Sequence, residues 1–254
     1  MFPYKISSLA ERESFYAKEF STKALEKWFL KMPQFFAIDF GSETGISVDP
    51  SKNMKIIFLQ PPNMSLKQLQ QKLVSYKPED VYYDTTVYKD PTHCASCTKQ
   101  KSFCADCDNV LGKELVFDVD PENIDCPACG KKEFPNFCSA CLKQSLKKGV
   151  ELASFLKQNY GYKKLRLVYS GRGCHVHVGD ASAFKLAQEE RKQITDECKQ
   201  FGIDPWVTTE KRLVRLPYSL NTIVSRIVIP LEPKEVDGFD AETDKRVIPK
   251  FLQY

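Results

Sequence analysis

Two tight sets of cysteines limit the fold of this chain more sharply than any other feature. Cys94, Cys97, Cys104 and Cys107 read CxxC–x6–CxxC, and Cys126, Cys129, Cys138 and Cys141 read CxxC–x8–CxxC. A CxxC turn aims two thiolates at one point, and a second such knuckle completes a tetrahedron. Four thiolates with no redox demand suit zinc. The spacing predicts two structural zinc sites. An iron–sulfur cluster, a redox pair, or one site built from both sets fits the same spacing and stays open. His93 reads as a bystander beside a complete set of four thiols, and Cys174 and Cys198 are isolated. A closed four-thiolate shell leaves no place for water or substrate, so the chemistry has to lie elsewhere.

The reading of metal before disulfide depends on compartment. No apolar run reaches the roughly 18 residues that span a bilayer. The opening MFPYKISSLAERESFY lacks the continuous apolar core of a signal peptide. An intracellular chain with reduced thiols and no membrane contact is therefore expected. Across 254 residues, 42% are hydrophobic and 28% charged, which predicts a folded chain with room for one large domain and an inserted module. The net charge of +4 is a weak sign of a polyanionic partner, so any case for nucleic acid rests on local features.

The periodicity predicts mixed elements. Residues 7–31 read as helix, Phe35–Phe40 as strand and Lys55–Leu59 as a second strand. Ser65 caps a helix running to Val74, and Val81–Tyr88 is β-branched and aromatic enough for a strand. Glu114–Asp120 is a strand between the cysteine sets. Leu142–Gln158 is a helix, Leu165–Tyr169 and His175–Val178 are strands joined by a glycine turn, and Ala181–Phe201 is helical. Val207–Leu216 and Ile223–Leu231 close the chain as strands. Antiparallel hairpins in this order favour an α+β fold over a doubly wound sheet.

Three pieces carry the candidate chemistry. The strand ELVFDVD ends in Asp118 and Asp120, which are two apart and so face one side, with Val119 turned to the core. Two like charges side by side are costly without cations, and Mg²⁺ or Mn²⁺ suits carboxylate and phosphate oxygens together. A lone DxD is more often a solvated strand end. The second piece is YSGRGCHVHV, where glycines flank Arg172. Ser170, Arg172 and His175 there offer a hydroxyl, a guanidinium fork and an imidazole to an anion. His177 shares the strand face of His175. The third piece, DPWVTTEKRLVRLP, places Asp204 ahead of a basic strand with Arg212 and Arg215, which can face phosphates or solvent.

LVFDVD, YSGRGCHVHV and DPWVTTEKRLVRLPYSL, in this order and with a cysteine module between the first two, resemble the small catalytic subunit of archaeal and eukaryotic DNA primases over roughly residues 35–231. The resemblance implies an α+β catalytic core of mixed and antiparallel sheet with inserted zinc modules. Its N-terminal part is residues 1–92, with a cysteine knuckle at 93–110. The aspartate strand follows at 111–125, a zinc module at 126–141 and the C-terminal part at 142–254. It also implies template-directed primer synthesis by two-metal nucleotidyl transfer. Asp118, Asp120 and Asp204 (with Glu210 as fallback) would hold Mg²⁺ or Mn²⁺. Ser170, Arg172 and His175 would bind the triphosphate, aided by Arg212 and Arg215. Partners would be a large primase subunit, a single-stranded DNA template and nucleoside triphosphates, and the location cytoplasmic or nuclear according to source. The alternatives are a primase-family polymerase used in repair or end joining, and a non-catalytic zinc-stabilised nucleic-acid-binding protein. The chain departs from the family pattern in its first cysteine set and in Asn221 and Ile223, which fall where a histidine and a lysine are common.

Overall fold

Reciprocal capping starts the first helix: Ser8 accepts from the Glu11 N–H, and Glu11 accepts from the Ser8 N–H. The computed structural model describes residues 5–29, 33, 35–45, 56–59, 64–90, 108–130, 138–205, 208 and 213–253. Helix α1 covers Leu9–Lys18 and stops at Glu19, because Ser21 accepts from the Ala24 N–H and opens a new helix, α2, Thr22–Trp28. The single helix expected over 7–31 is therefore two. A serine hydroxyl that can satisfy an orphan N–H favours a helix start over a helix interior. Ser65 and Gln68 repeat the capping box for α3, Leu66–Tyr76.

The chain divides into two units, Pro3–Asp84 with Arg215–Ile229 and Asp240–Tyr254, and Thr85–Val214 with Pro230–Phe239. In the first, β1 (Phe36–Asp39) pairs antiparallel with both β2 (Ile56–Leu59) and β3 (Asp80–Asp84). The sheet is completed by β9 (Leu213–Arg215), in the order β2-β1-β3-β9. Phe15, Tyr16, Leu25, Phe36, Ile38, Leu69 and Leu73 are fully buried in its core. The strand expected over 81–88 breaks at Thr85. Its second half, β4 (Thr86–Tyr88), leaves for a separate ladder with β5 (Val110–Lys113).

In the second unit the sheet runs β12-β7-β8-β6, from Ile229–Leu231, Leu165–Tyr169, Cys174–Val178 and Leu115–Val119. The register pairs Leu115, Phe117 and Val119 of β6 with Val178, Val176 and Cys174 of β8. These in turn pair with Leu165, Leu167 and Tyr169 of β7. Alternate residues share a face, so these nine form one apolar face. The helix α4 (Ser139–Tyr160) packs against β6, β7 and β8. Gly149 is what permits the approach: a Cβ there would lie 2.5 Å from Cys174 Sγ and 2.9 Å from Leu167 Cδ1. The opposite face carries Val116 and Asp118, His177 and His175, and Arg166 and Val168 in facing pairs.

The helix expected over 181–201 is three pieces: α5 (Ala181–Phe184), α6 (Gln188–Cys198) and a 3-10 turn, Lys199–Phe201, closed by Gly202 at φ 74°. Of the terminal strands, 207–216 reduces to Leu213–Arg215 among the described residues, and 223–231 splits into β11 (Arg226–Ile227) and β12. The strand β11 pairs with β10, Leu220–Asn221. No helix among the described residues is long and apolar enough to cross a membrane. The mixed helix and antiparallel-sheet class matches the α+β expectation. The first cysteine set with His93, together with Glu210 and Arg212, lies outside the described residues.

Candidate active site

At the end of β6 the alternation turns Asp118 away from the apolar face while Val119 is fully buried, and Asp120 follows as the residue before a 3-10 turn, Pro121–Asn123. The third aspartate arrives from a segment far along the chain. Ile203 forms an antiparallel bridge with Val119, and the Asp204 N–H donates to the Asp118 carbonyl at 2.8 Å. Four residues on, the buried Thr208 hydroxyl donates to the Val116 carbonyl at 3.0 Å. Because β6 is the edge strand, β8 takes only one side of it and the second segment pairs along the other. Asp118, Asp120 and Asp204 are all half-buried. Among the described residues, their carboxylate oxygens are not gathered within 4.8 Å of one another as the thiols below are. Backbone pairing nevertheless brings Asp118 and Asp204 to one strand end, and an all-carboxylate donor set fits a hard divalent cation.

The glycine turn between β7 and β8 stands beside this end, since Asp118 faces His175 across the strands and Val119 faces Cys174. The turn is stiff. Ser170 N–H donates to the Gly173 carbonyl at 3.1 Å, Gly173 N–H donates to Ser170 Oγ at 3.3 Å, and the Tyr169 hydroxyl donates to the Gly171 carbonyl at 2.7 Å. Gly171 has φ 103°, a conformation that side chains rarely adopt. A Cβ on Gly173 would collide with the Val119 carbonyl, so that glycine lets the turn sit against the aspartate strand. His175 Nε2 lies 3.4 Å from Asp118 Oδ1. Arg172 pairs with Glu122, in the 3-10 turn after Asp120.

Behind His175, on the same face, His177 is fully buried, with ring centroids 5.9 Å apart. Its Nδ1 lies 3.1 Å from Glu114 Oε1, and Arg166 Nη2 is 3.6 Å from the same oxygen. Sequence reasoning missed Glu114 and Glu122. The signal for Glu114 was its place four residues ahead of Asp118 on one strand face, and for Glu122 its position two residues past Asp120. Burial, followed by the charges of Asp118 and Asp120, holds the Cys174 thiol well above its ordinary pKa. Its Sγ donates to the Ser145 carbonyl at 3.3 Å, which makes it an inert core thiol.

The second cysteine set closes into a cage. Cys129 and Cys141 Sγ are 3.1 Å apart, Cys138 and Cys141 3.4 Å, and Cys126 and Cys138 3.9 Å, with all four sulfurs within 4.8 Å. Disulfide bonds need about 2.05 Å. A tetrahedron with zinc–sulfur bonds of about 2.3 Å has edges of about 3.8 Å. The four thiols therefore fit a zinc ion. Cys138 caps α4. Burial works against its ionisation, but hydrogen bonds from the Cys141 N–H, the Cys141 and Cys129 thiols and the Ala140 N–H outweigh that and bring it down to about 7.

Two further expected residues belong to the other unit. Arg215 Nη2 donates to Asp80 Oδ2 at 2.9 Å and its guanidinium carbon sits 5.4 Å from the Tyr82 ring centroid. Tyr82 donates to the same Asp80 oxygen at 3.1 Å, and burial pushes its phenol up. Asn221 is buried opposite Arg226, whose guanidinium donates to the carbonyls of Ala241, Ser225 and Val224.

The site thus sets an edge strand ending in aspartates beside a glycine turn on the neighbouring strand. The solved polymerase domain of Mycobacterium tuberculosis ligase D, in complex with DNA, matches with a TM-score of 0.56 over 95% of this chain and 85% of that one, at 12% identity. At that identity the likeness is one of fold. The family model of the DNA primase small subunit matches residues 117–247. A DNA primase small subunit-like protein of Archaeoglobus fulgidus is 39% identical over 97% of this chain and 91% of its own length. The chain belongs to the DNA primase small subunit family. The PriS subunit of Pyrobaculum calidifontis is 33% identical over 56% of this chain, and that of Thermococcus onnurineus 26% over 72%. The matched part spans 42% and 47% of those two relatives.

Proposed function

We propose that this chain is the catalytic small subunit of a DNA primase, synthesising short primers from nucleoside triphosphates under the direction of a single-stranded DNA template. The observation that carries the reading is the backbone pairing of the Asp204 segment with the end of β6, where Asp118 faces His175 across the strands.

Asp118, Asp120 and Asp204 would hold two divalent cations, Mg²⁺ or Mn²⁺. Such cations, when bound, lower the pKa of an attacking 3′-hydroxyl and neutralise charge on the α-phosphate and the leaving pyrophosphate. The chain's own residues do the positioning, which is most of what phosphoryl transfer asks of a protein. Ser170 and Arg172 grip the phosphate tail, and His175, shared with Asp118, ties that grip to the carboxylates. Contacts to the nucleic-acid backbone weaken as salt rises, and Arg212 remains the basic candidate for them, since the Arg215 guanidinium is taken up by Asp80. The zinc cage stabilises the segment between Asp120 and α4 and takes no part in the chemistry. A large primase subunit is the proposed partner, inside the cell.

The test is template-dependent extension of a short primer with Mn²⁺ and nucleoside triphosphates. Wild-type protein should extend, and folded Asp118→Ala and Asp120→Ala should not. Extension at near wild-type rate by either folded variant defeats the assignment.

A further inference from the structure

Arg172, the residue assigned to the phosphate tail, already holds an anion. Its guanidinium pairs with Glu122, and the two side chains are 13% and 20% exposed. Both ends of this pair are fixed. Glu122 sits at the centre of the 3-10 turn Pro121–Asn123, where Pro121 is buried and the Ile124 N–H donates to the Pro121 carbonyl at 3.2 Å. Ile124 is packed where a Cβ on Gly202 would stand, 2.6 Å from its Cγ1. Arg172 lies in the glycine turn locked by Ser170, Tyr169 and Gly173. A contact between two stiff turns, partly out of water, differs from the loose surface pairs that contribute little.

We propose that Glu122 is a built-in competitor for the triphosphate: it holds Arg172 when the site is empty, is displaced as the phosphate tail binds, and takes the guanidinium back as pyrophosphate leaves. This rests on the reading of residues 170–175 as the triphosphate turn. A carboxylate offers a guanidinium fork the same two-point geometry as a phosphate but less charge, so a polyphosphate can replace it. The net affinity for nucleotide would then be the difference between two anions, which lowers it and eases product release. A ligand that does not reach Arg172 displaces nothing and is insensitive to Glu122.

Titration calorimetry with inorganic tripolyphosphate, at fixed ionic strength, tests this on the full chain. Glu122→Gln keeps the shape and removes the charge. It should tighten tripolyphosphate binding by about fivefold to tenfold. Glu122→Asp, with its carboxylate drawn back, should fall between. Arg172→Ala should weaken binding, and Glu122→Gln should have no further effect in that background, because the two residues act as one pair. A nucleoside monophosphate should bind wild type and Glu122→Gln alike. If Arg172→Ala weakens binding while Glu122→Gln leaves it unchanged or weaker, Glu122 is a structural clamp and the proposal is overturned with the triphosphate turn intact. If Arg172→Ala changes nothing, the triphosphate turn itself is wrong and the proposal falls with it.

Discussion

The Asp204 N–H donates to the carbonyl oxygen of Asp118 at 2.8 Å, so two aspartates far apart along the chain meet at the end of a single strand. The bond exists because β6 is an edge strand whose outer backbone groups are not used by β8. An unpaired edge is a liability for aggregation. Here the segment that carries Asp204 pairs with it.

Thr208 is the second anchor of that segment, through its hydroxyl to the Val116 carbonyl at 3.0 Å. Thr208→Val keeps the shape and removes this hydrogen bond from a buried carbonyl. It should cost about 1–2 kcal/mol in urea unfolding. Primer extension should fall further than this loss of stability explains, because Asp204 loses its support.

Gly173 faces the Val119 carbonyl with no room for a side chain. Gly173→Ala should destabilise the protein by about 1–3 kcal/mol. It should also reduce nucleotide incorporation, since either the turn or the aspartate strand must shift. Thermal unfolding and incorporation measured on the same preparation check both halves. Wild-type behaviour in both would mean that the turn does not depend on this approach.

The period-two pattern of ELVFDVD and CHVHV was enough to turn Val119 away from Asp118 into the core and to set His175 and His177 on one face, and the register agrees. The CxxC–x8–CxxC spacing was likewise enough for the cage at Cys126–Cys141. Local signals of this kind are legible because strand alternation and knuckle geometry are fixed by a few neighbouring residues. What was not legible comes from distant pairs. Nothing near Arg215 points to Asp80, 135 residues away, and nothing near His177 points to Glu114, 63 residues away. The breaks at Ser21 and Thr85 were also missed, because a capping serine and a strand that changes ladders are decided by tertiary pairing that overrides an otherwise continuous pattern.

Zinc should matter to stability before it matters to chemistry. Cys126→Ser should lose about one zinc per chain by elemental analysis. Its melting temperature should fall by about 10 °C, as a metal-linked fold loses several kcal/mol. A strong chelator acting on wild type should lower it at least as far, since it strips every thiolate site at once. Unchanged zinc content in Cys126→Ser would mean that this cage is not the metal site.

The most direct measurement is Mn²⁺ binding followed by electron paramagnetic resonance, with wild type, Asp118→Asn and Asp204→Asn compared at equal protein concentration. If the three aspartates share their cations, Asp204→Asn should weaken Mn²⁺ binding by about tenfold or more, as much as Asp118→Asn does. Wild-type Mn²⁺ binding by folded Asp204→Asn would contradict a shared site at the end of β6.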